Sequence, residues 1–183
     1  MHLRIPTLGA LARSRSQDGR FGDCFCLSFL YTELGAILKY MSEITSTLLV
    51  NRAIIADDNR ILILRRSQND AHNASLWEFP GGKVDAGEEI IGGLAREVLE
   101  ETGLTVAIRS PIAHVESMVI RAGKHEGRLY VALFYIAQRL GGELELSQEH
   151  DAGLWLQSDE VARRSLTHES RSALSSFRDL GMI

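Results

Sequence analysis

The 183-residue chain contains two cysteines, Cys24 and Cys26, with one residue between them. Two neighbouring thiols cannot build a disulfide framework, and so low a count fits a reducing compartment, so the expected location is cytoplasmic. Proline is scarce, at three residues, and no Pro- or Ser-rich linker divides the chain. No uncharged apolar run approaches the roughly 18 residues of a membrane span, so no membrane partner is expected. A basic excess is also lacking: 20 Lys and Arg stand against 24 Asp and Glu, net −4. Without one there is no electrostatic case for a nucleic acid polymer as partner. Internal repeats are missing, which argues against a solenoid.

What is present is ordinary for a globular domain. The apolar fraction of 45% and the charged fraction of 24% exclude wholesale disorder. The charge is unevenly placed. Residues 1–40 carry five basic and three acidic residues, whereas residues 41–183 carry 15 basic and 21 acidic. The first 40 residues show no sustained apolar period. Arginines precede an apolar stretch, but that stretch is short and no small-residue cleavage site follows it, so a targeting peptide is not favoured. Residues 1–40 are expected to be a disordered extension or a misassigned start, and residues 41–183 a single domain.

Local signals sharpen after Thr45. Leu48 to Ala56 and Ile61 to Leu64 predict two strands, joined as a hairpin through Asp57-Asp58-Asn59. Trp77-Glu78-Phe79 predicts a short extended piece, stopped by Pro80-Gly81-Gly82. Glu88 to Thr102 predicts a helix with Gly103 as its left-handed C-cap. Further strands are predicted at Thr105 to Ile108, His114 to Ile120, Leu129 to Ala137 and Leu154 to Leu156. Ser158 is a candidate N-cap, and His168 to Leu180 predicts an amphipathic final helix. The expected class is α/β (α+β), a mixed β-sheet with a central helix and a C-terminal helix.

The stretch Gly82 to Leu104 carries the chemistry. Glu97, Glu100 and Glu101 stand at i, i+3 and i+4 and so share one helix face. Their repulsion, at the helix end where the macrodipole disfavours anions, is locally costly. A hard divalent cation such as Mg²⁺ or Mn²⁺ would offset it, because both favour oxygen ligands. The competing reading is a solvated acidic face in which Arg96 pairs with Glu100. The flanks favour the cation: Pro80-Gly81-Gly82 allows close backbone approach, and Lys83 adds a positive charge. Gly92 and Gly93 cost about 1 kcal/mol each inside a helix, and a close helix–sheet contact would account for them. The 23-residue stretch has six acids and two bases, so its charge of −4 equals that of the whole chain.

Gly82, Glu88 and Arg96-Glu97-Val98-Leu99-Glu100-Glu101-Thr102-Gly103-Leu104 together resemble the complete box of the Nudix hydrolases. Leu76 to Lys83, LWEFPGGK, is similar to the MutT-like branch. The resemblance implies a mixed sheet sandwiched between helices and hydrolysis of a nucleoside diphosphate linked to another group. It implies Gly81, Glu97, Glu100 and Glu101 as metal ligands, the first through its carbonyl. Arg96 is implied to orient the box glutamates, and Glu88 to be mainly structural. Glu97 is the first choice for general base or direct ligand. Glu149, in Gln148-Glu149-His150, matches a loop glutamate of MutT-like proteins and is the second candidate. Arg65, Arg66, Phe79 and Lys83 are candidate substrate contacts. Strand alternation turns only one of the two arginines toward the site, and Trp77 or Phe79 can be core instead of a base-stacking surface.

His168 stands about where relatives that act on oxidised guanine nucleotides carry an asparagine, and is the remaining substrate-binding candidate. The neighbourhood Val119-Ile120-Arg121 lacks the proline of ADP-ribose hydrolases and the tyrosine of dinucleoside polyphosphate hydrolases. The expected activity is therefore Mg²⁺-dependent cleavage of a nucleoside triphosphate to monophosphate and pyrophosphate, with a role in nucleotide-pool sanitation. The alternative is another nucleoside diphosphate derivative, such as ADP-ribose or a nucleotide sugar, or a nucleotide-sensing domain without catalysis. A small-molecule nucleotide is the expected partner. A homodimer is compatible with the resemblance, although no interface is legible.

Overall fold

The computed structural model describes residues 46–70, 73–121 and 125–181. The extension expected at residues 1–40 lies outside them. Six strands form one sheet: β1 (Ser46–Asp57), β2 (Arg60–Arg66), β3 (Trp77–Glu78), β4 (Thr105–Val119), β5 (Arg128–Gly141) and β6 (His150–Leu156). Among the described residues three helices accompany it: α1 (Ile90–Thr102), α2 (Ser158–Ala162) and α3 (His168–Asp179). The strand order is β3-β2-β1-β5-β4, with β6 on β2. Only β1 and β5 run parallel, and the other pairs are antiparallel.

Strand alternation divides the core into two layers. Ile54, Ile61, Ile63, Ala132 and Phe134 face one side, where they meet Phe79, Leu174 and Phe177. Ala53, Ile55, Leu62, Leu64, Leu133 and Tyr135 face the other, against Leu94 and Val98 of α1. The sheet is thus sandwiched between α1 and the α2–α3 pair, as expected. Each fully buried Phe, Leu or Ile contributes about 1.5–3 kcal/mol of transfer free energy.

The β1–β2 hairpin turns through Asp58 and Asn59, both at positive φ (46° and 59°), as a two-residue primed turn requires. Its strands then part company. They pair only at Ala56–Ile61 and Asp57–Arg60. Beyond that fork, the segment after β3 takes the vacated edge of β1. Ala53 N–H donates to Pro80 O at 2.8 Å, Asn51 N–H to Gly82 O at 2.8 Å, and Val84 N–H to Leu49 O at 3.0 Å.

Several local expectations change. The two strands predicted over Thr105–Ile120 are one, β4, whose register against β5 shifts between Arg109 and His114. The central helix starts at Ile90 with Glu89 as its N-cap, its side chain accepting from Gly92 N. Gly103 closes it at φ 69°, as predicted. The tightest contacts at Gly92 and Gly93 are with carboxylates of the helix start, not with the sheet. A Cβ on Gly93 would stand 2.7 Å from Glu88 Oε2, and one on Gly92 3.1 Å from Glu89 Oε2. They make room for two carboxylates at the helix start. Gln157, not Ser158, caps α2, with its N–H bonded to Glu160 Oε2 at 3.1 Å.

Candidate active site

Gly81 and Gly82 sit between β1 and the acidic face of α1. Gly81 has φ 130°, a conformation that favours glycine, and a Cβ there would collide with Asn51 O. That backbone turns the Gly81 N–H toward α1, where it donates to Glu101 Oε2 at 2.8 Å. A Cβ on Gly82 would collide with the Glu97 carboxylate. Two of the three box glutamates therefore lie directly against glycine backbone.

Glu101 is 6% exposed. Burial pushes its carboxyl up to about 7, although Arg52, His150 and the Gly81 N–H pull it down. Burial also raises Glu97, against the opposing pull of Arg96. Carboxylates kept partly out of water and near one another are costly to ionise, and a divalent cation relieves that cost. Arg96 reaches Glu88 Oε1 at 2.8 Å, Glu97 Oε1 at 2.9 Å and Glu100 Oε2 at 3.2 Å. Its bonds hold Glu88 below the usual carboxylate range. One guanidinium thus organises three acids.

Glu100 is turned outward to Arg96 and is largely exposed. Among the described residues, no three His, Cys, Asp or Glu side chains converge as a ready-made cage. The donor set is nevertheless the one a hard cation takes: carboxylate oxygens and a backbone carbonyl, with no thiolate. Glu97 and Glu101 already flank Gly81–Gly82, and Glu100 is exposed on the same helix. The residues fit a divalent metal, with Glu97, Glu100, Glu101 and the Gly81 carbonyl as the groups that would hold it.

Beside the glycines lies a buried ionic network that the sequence did not announce. Arg52, 6% exposed, extends from β1 to Glu78 Oε2 at 3.0 Å and Glu169 Oε1 at 3.4 Å. It also donates from Nη1 to Gly81 O at 2.7 Å and Phe79 O at 3.2 Å. Glu78 is fully buried and is further held by Arg66 at 2.9 Å and His150 Nε2 at 3.3 Å. Burial alone would raise Glu78, but Arg52, His150 and Arg66 outweigh it and hold the carboxyl at about 2. Tyr130 is pushed upward by burial and by Glu169.

The other predicted residues divide. Arg66 joins the network and also approaches Glu149 at 3.6 Å. Arg65 instead pairs with Asp151 at 2.6 Å and lies 5.6 Å over the Trp77 ring. Glu149 is exposed, immediately before β6, and its carbonyl accepts from Ser67 N at 2.9 Å. Lys83 is exposed beside the glycines. Phe79 is a correction. It has no exposed surface and packs edge-on to Phe134, 6.3 Å between centroids, so it is core and offers no face to a base. Its neighbour Trp77 is core as well. His168 is the exposed first residue of α3, while the next residue, Glu169, turns inward to Arg52. Arg52 and Glu78 were legible only as charges interrupting apolar strands. Nothing local distinguished Glu169 or His150.

The site is thus an acidic helix face set against a diglycine turn, on a mixed sheet between helices. The family model described as NUDIX domain matches residues 48–177. The chain is 35% identical to a MutT-like protein of Streptomyces ambofaciens, over 70% of this chain and 79% of that one. It is 32% identical to a CTP pyrophosphohydrolase of Escherichia coli, over 70% and 89%. The MutT protein of Methanosarcina mazei has a TM-score of 0.65 at 28% identity, covering 75% of this chain and 97% of that one. The chain belongs to the Nudix family and is a pyrophosphohydrolase of the MutT-like kind, acting on nucleoside diphosphate derivatives. Enzymes of this family generally need a divalent metal. No helix among the described residues is long and apolar enough to cross a membrane.

Proposed function

We propose that the chain hydrolyses nucleoside triphosphates to nucleoside monophosphate and pyrophosphate, with Mg²⁺ as the working ion and Mn²⁺ as a substitute. The observation that carries this reading is the pair Glu97 and Glu101, set largely out of water against Gly82 and Gly81. A divalent ion held by Glu97, Glu100, Glu101 and the Gly81 carbonyl would supply charge neutralisation for the phosphates and a more acidic water. Glu97, whose carboxylate lies against the Gly82 backbone, is the first candidate for the base that would take a water's proton or for a direct ligand. Glu149 is the second candidate. Arg66, at the end of β2, supplies a cation for the triphosphate. The E. coli relative named as a CTP pyrophosphohydrolase supports a nucleoside triphosphate over a nucleotide sugar. The scarcity of cysteine supports a cytoplasmic site of action.

The test is a phosphate- and pyrophosphate-release screen over ribo- and deoxynucleoside triphosphates, nucleotide sugars and dinucleotides, with Mg²⁺ and with Mn²⁺. Glu97→Gln is run beside the wild type. Triphosphate turnover with pyrophosphate as product, lost in the variant by at least a hundredfold, is expected. Faster turnover of ADP-ribose or a nucleotide sugar would replace the substrate reading. No turnover, or an equally active variant, would remove the catalytic one.

A further inference from the structure

Four consecutive carbonyls, Phe79 to Gly82, run past β1, and each has a partner. Those of Pro80 and Gly82 accept from the β1 amides of Ala53 and Asn51. The alternate two, Phe79 and Gly81, both accept from Nη1 of Arg52. Backbone pairing therefore fixes one pair of carbonyls, and a single side chain fixes the other. We propose that Arg52 is a positioning residue for the cation site: its guanidinium aims the Gly81 carbonyl and so sets the backbone against which Glu97 and Glu101 lie. This inference rests on the metal reading given above.

Three features support it. The side chain is buried and its other nitrogen, Nη2, is held by Glu78 and Glu169, so its place is fixed by β3 and α3. The Gly81 backbone, at φ 130°, sends its N–H to Glu101 and its carbonyl to Arg52. Moving the carbonyl would therefore disturb the amide that holds Glu101. A carbonyl oxygen has two lone pairs, so the bond from Arg52 leaves one for a hard cation. Lysine, a compact charge without a planar fork, cannot reproduce this set of bonds.

A plain charge effect would act in the opposite direction. Arg52 is a cation near the proposed metal, and removing it would tighten metal binding if repulsion were its main influence. The sign of the change therefore discriminates. Mn²⁺ binding to the full chain is measured without nucleotide, by the electron paramagnetic resonance signal of free Mn²⁺. Arg52→Lys, which keeps the charge, is compared with Arg52→Met, and Arg178→Ala, which breaks a surface pair with Asp159, serves as the control. Circular dichroism melts establish that each variant is folded. If Arg52→Met fails to fold, Arg52→Lys decides.

The dissociation constant is expected to rise at least threefold in Arg52→Lys and at least tenfold in Arg52→Met, and to stay within twofold of wild type in Arg178→Ala. Unchanged or tighter binding in the folded Arg52 variants overturns the inference while leaving the metal reading intact. A role confined to stability would give that outcome, with lower melting temperatures alone. A wild type that does not bind Mn²⁺ overturns the metal reading itself.

Discussion

Replacing Glu101 with glutamine should make the metal-free protein more stable at pH 8 while abolishing its activity. In the fold, burial pushes this carboxyl up to about 7, against an ordinary 4.5. The folded state therefore holds a proton that the unfolded state has released across the interval between those values. Wherever the folded state binds more protons, stability falls as pH rises. The contribution of Glu101 is thus harmless below about pH 4.5 and grows more unfavourable up to about pH 7. At about 1.4 kcal/mol per tenfold change in proton affinity, the ceiling is about 3 kcal/mol. Partial relaxation of the site lowers the expected gain to about 1–3 kcal/mol. Glutamine keeps an oxygen for the Gly81 N–H and carries no charge, so little else is lost. The assay is urea unfolding of both proteins in EDTA at pH 5, 6, 7 and 8, taking the difference between them at each pH. The difference should widen in favour of Glu101→Gln as pH rises. Saturating Mn²⁺ should then narrow or reverse the difference, since a ligand at a hundred times its dissociation constant stabilises the wild type by about 2.7 kcal/mol. A variant that is less stable than wild type at pH 8 in EDTA, or a difference independent of pH, would refute the reasoning.

Gly82→Ala should weaken Mn²⁺ binding at least tenfold in a direct titration while shifting the melting temperature little, because its Cβ meets the movable end of Glu97. Phe79→Ala should cost about 3–5 kcal/mol in urea unfolding, as loss of a buried ring does. If the variant remains folded, its nucleotide KM should be unaltered, because Phe79 is core. Glu78→Gln should cost about 3–5 kcal/mol at pH 7, since it leaves Arg52 buried beside a neutral partner. The sign follows from the depressed carboxyl: stability from Glu78 is present above the ordinary 4.5 and is lost as pH falls toward about 2. The gap between wild type and Glu78→Gln should therefore close on acidification, measured by chemical unfolding between pH 7 and 3.

Elements whose signals are local were legible in the sequence. The period of Leu94 and Val98, the i, i+3, i+4 glutamates and the terminating Gly103 lie within one helix, and α1 formed where they indicated. The apolar runs Ile61 to Leu64 and Leu129 to Ala137 likewise predict β2 and β5, while the division into two core faces comes from the structure. Thr105 to Ile108 and His114 to Ile120 predict two strands, and the structure joins them as β4 with a register shift against β5 between Arg109 and His114. An aromatic beside the glycine turn fits a base-stacking face or the core equally in sequence, and the side chain of Phe79 falls on the core face. The ionic network was hidden for a different reason. Arg52 meets Glu78 at 26 residues' separation and Glu169 at 117, and no sequence window spans such pairs. Asn51 and Arg52 between Val50 and Ala53 were the visible irregularity: two polar residues within an apolar strand, one bonded to the Ile90 carbonyl and one to the glycine turn.

The fork between β1 and β2 has a consequence for how the site meets its ion. Because Phe79–Val84 completes the edge of β1, the glycine turn is stitched into the sheet at folding, with its amide-paired carbonyls already committed. The conformational entropy of that backbone is spent before any ligand arrives. Capture of the ion then demands rotation of carboxylates and release of water, with no ordering of chain. Association should thus be fast and its heat-capacity change small, as befits a site preorganised by its own sheet.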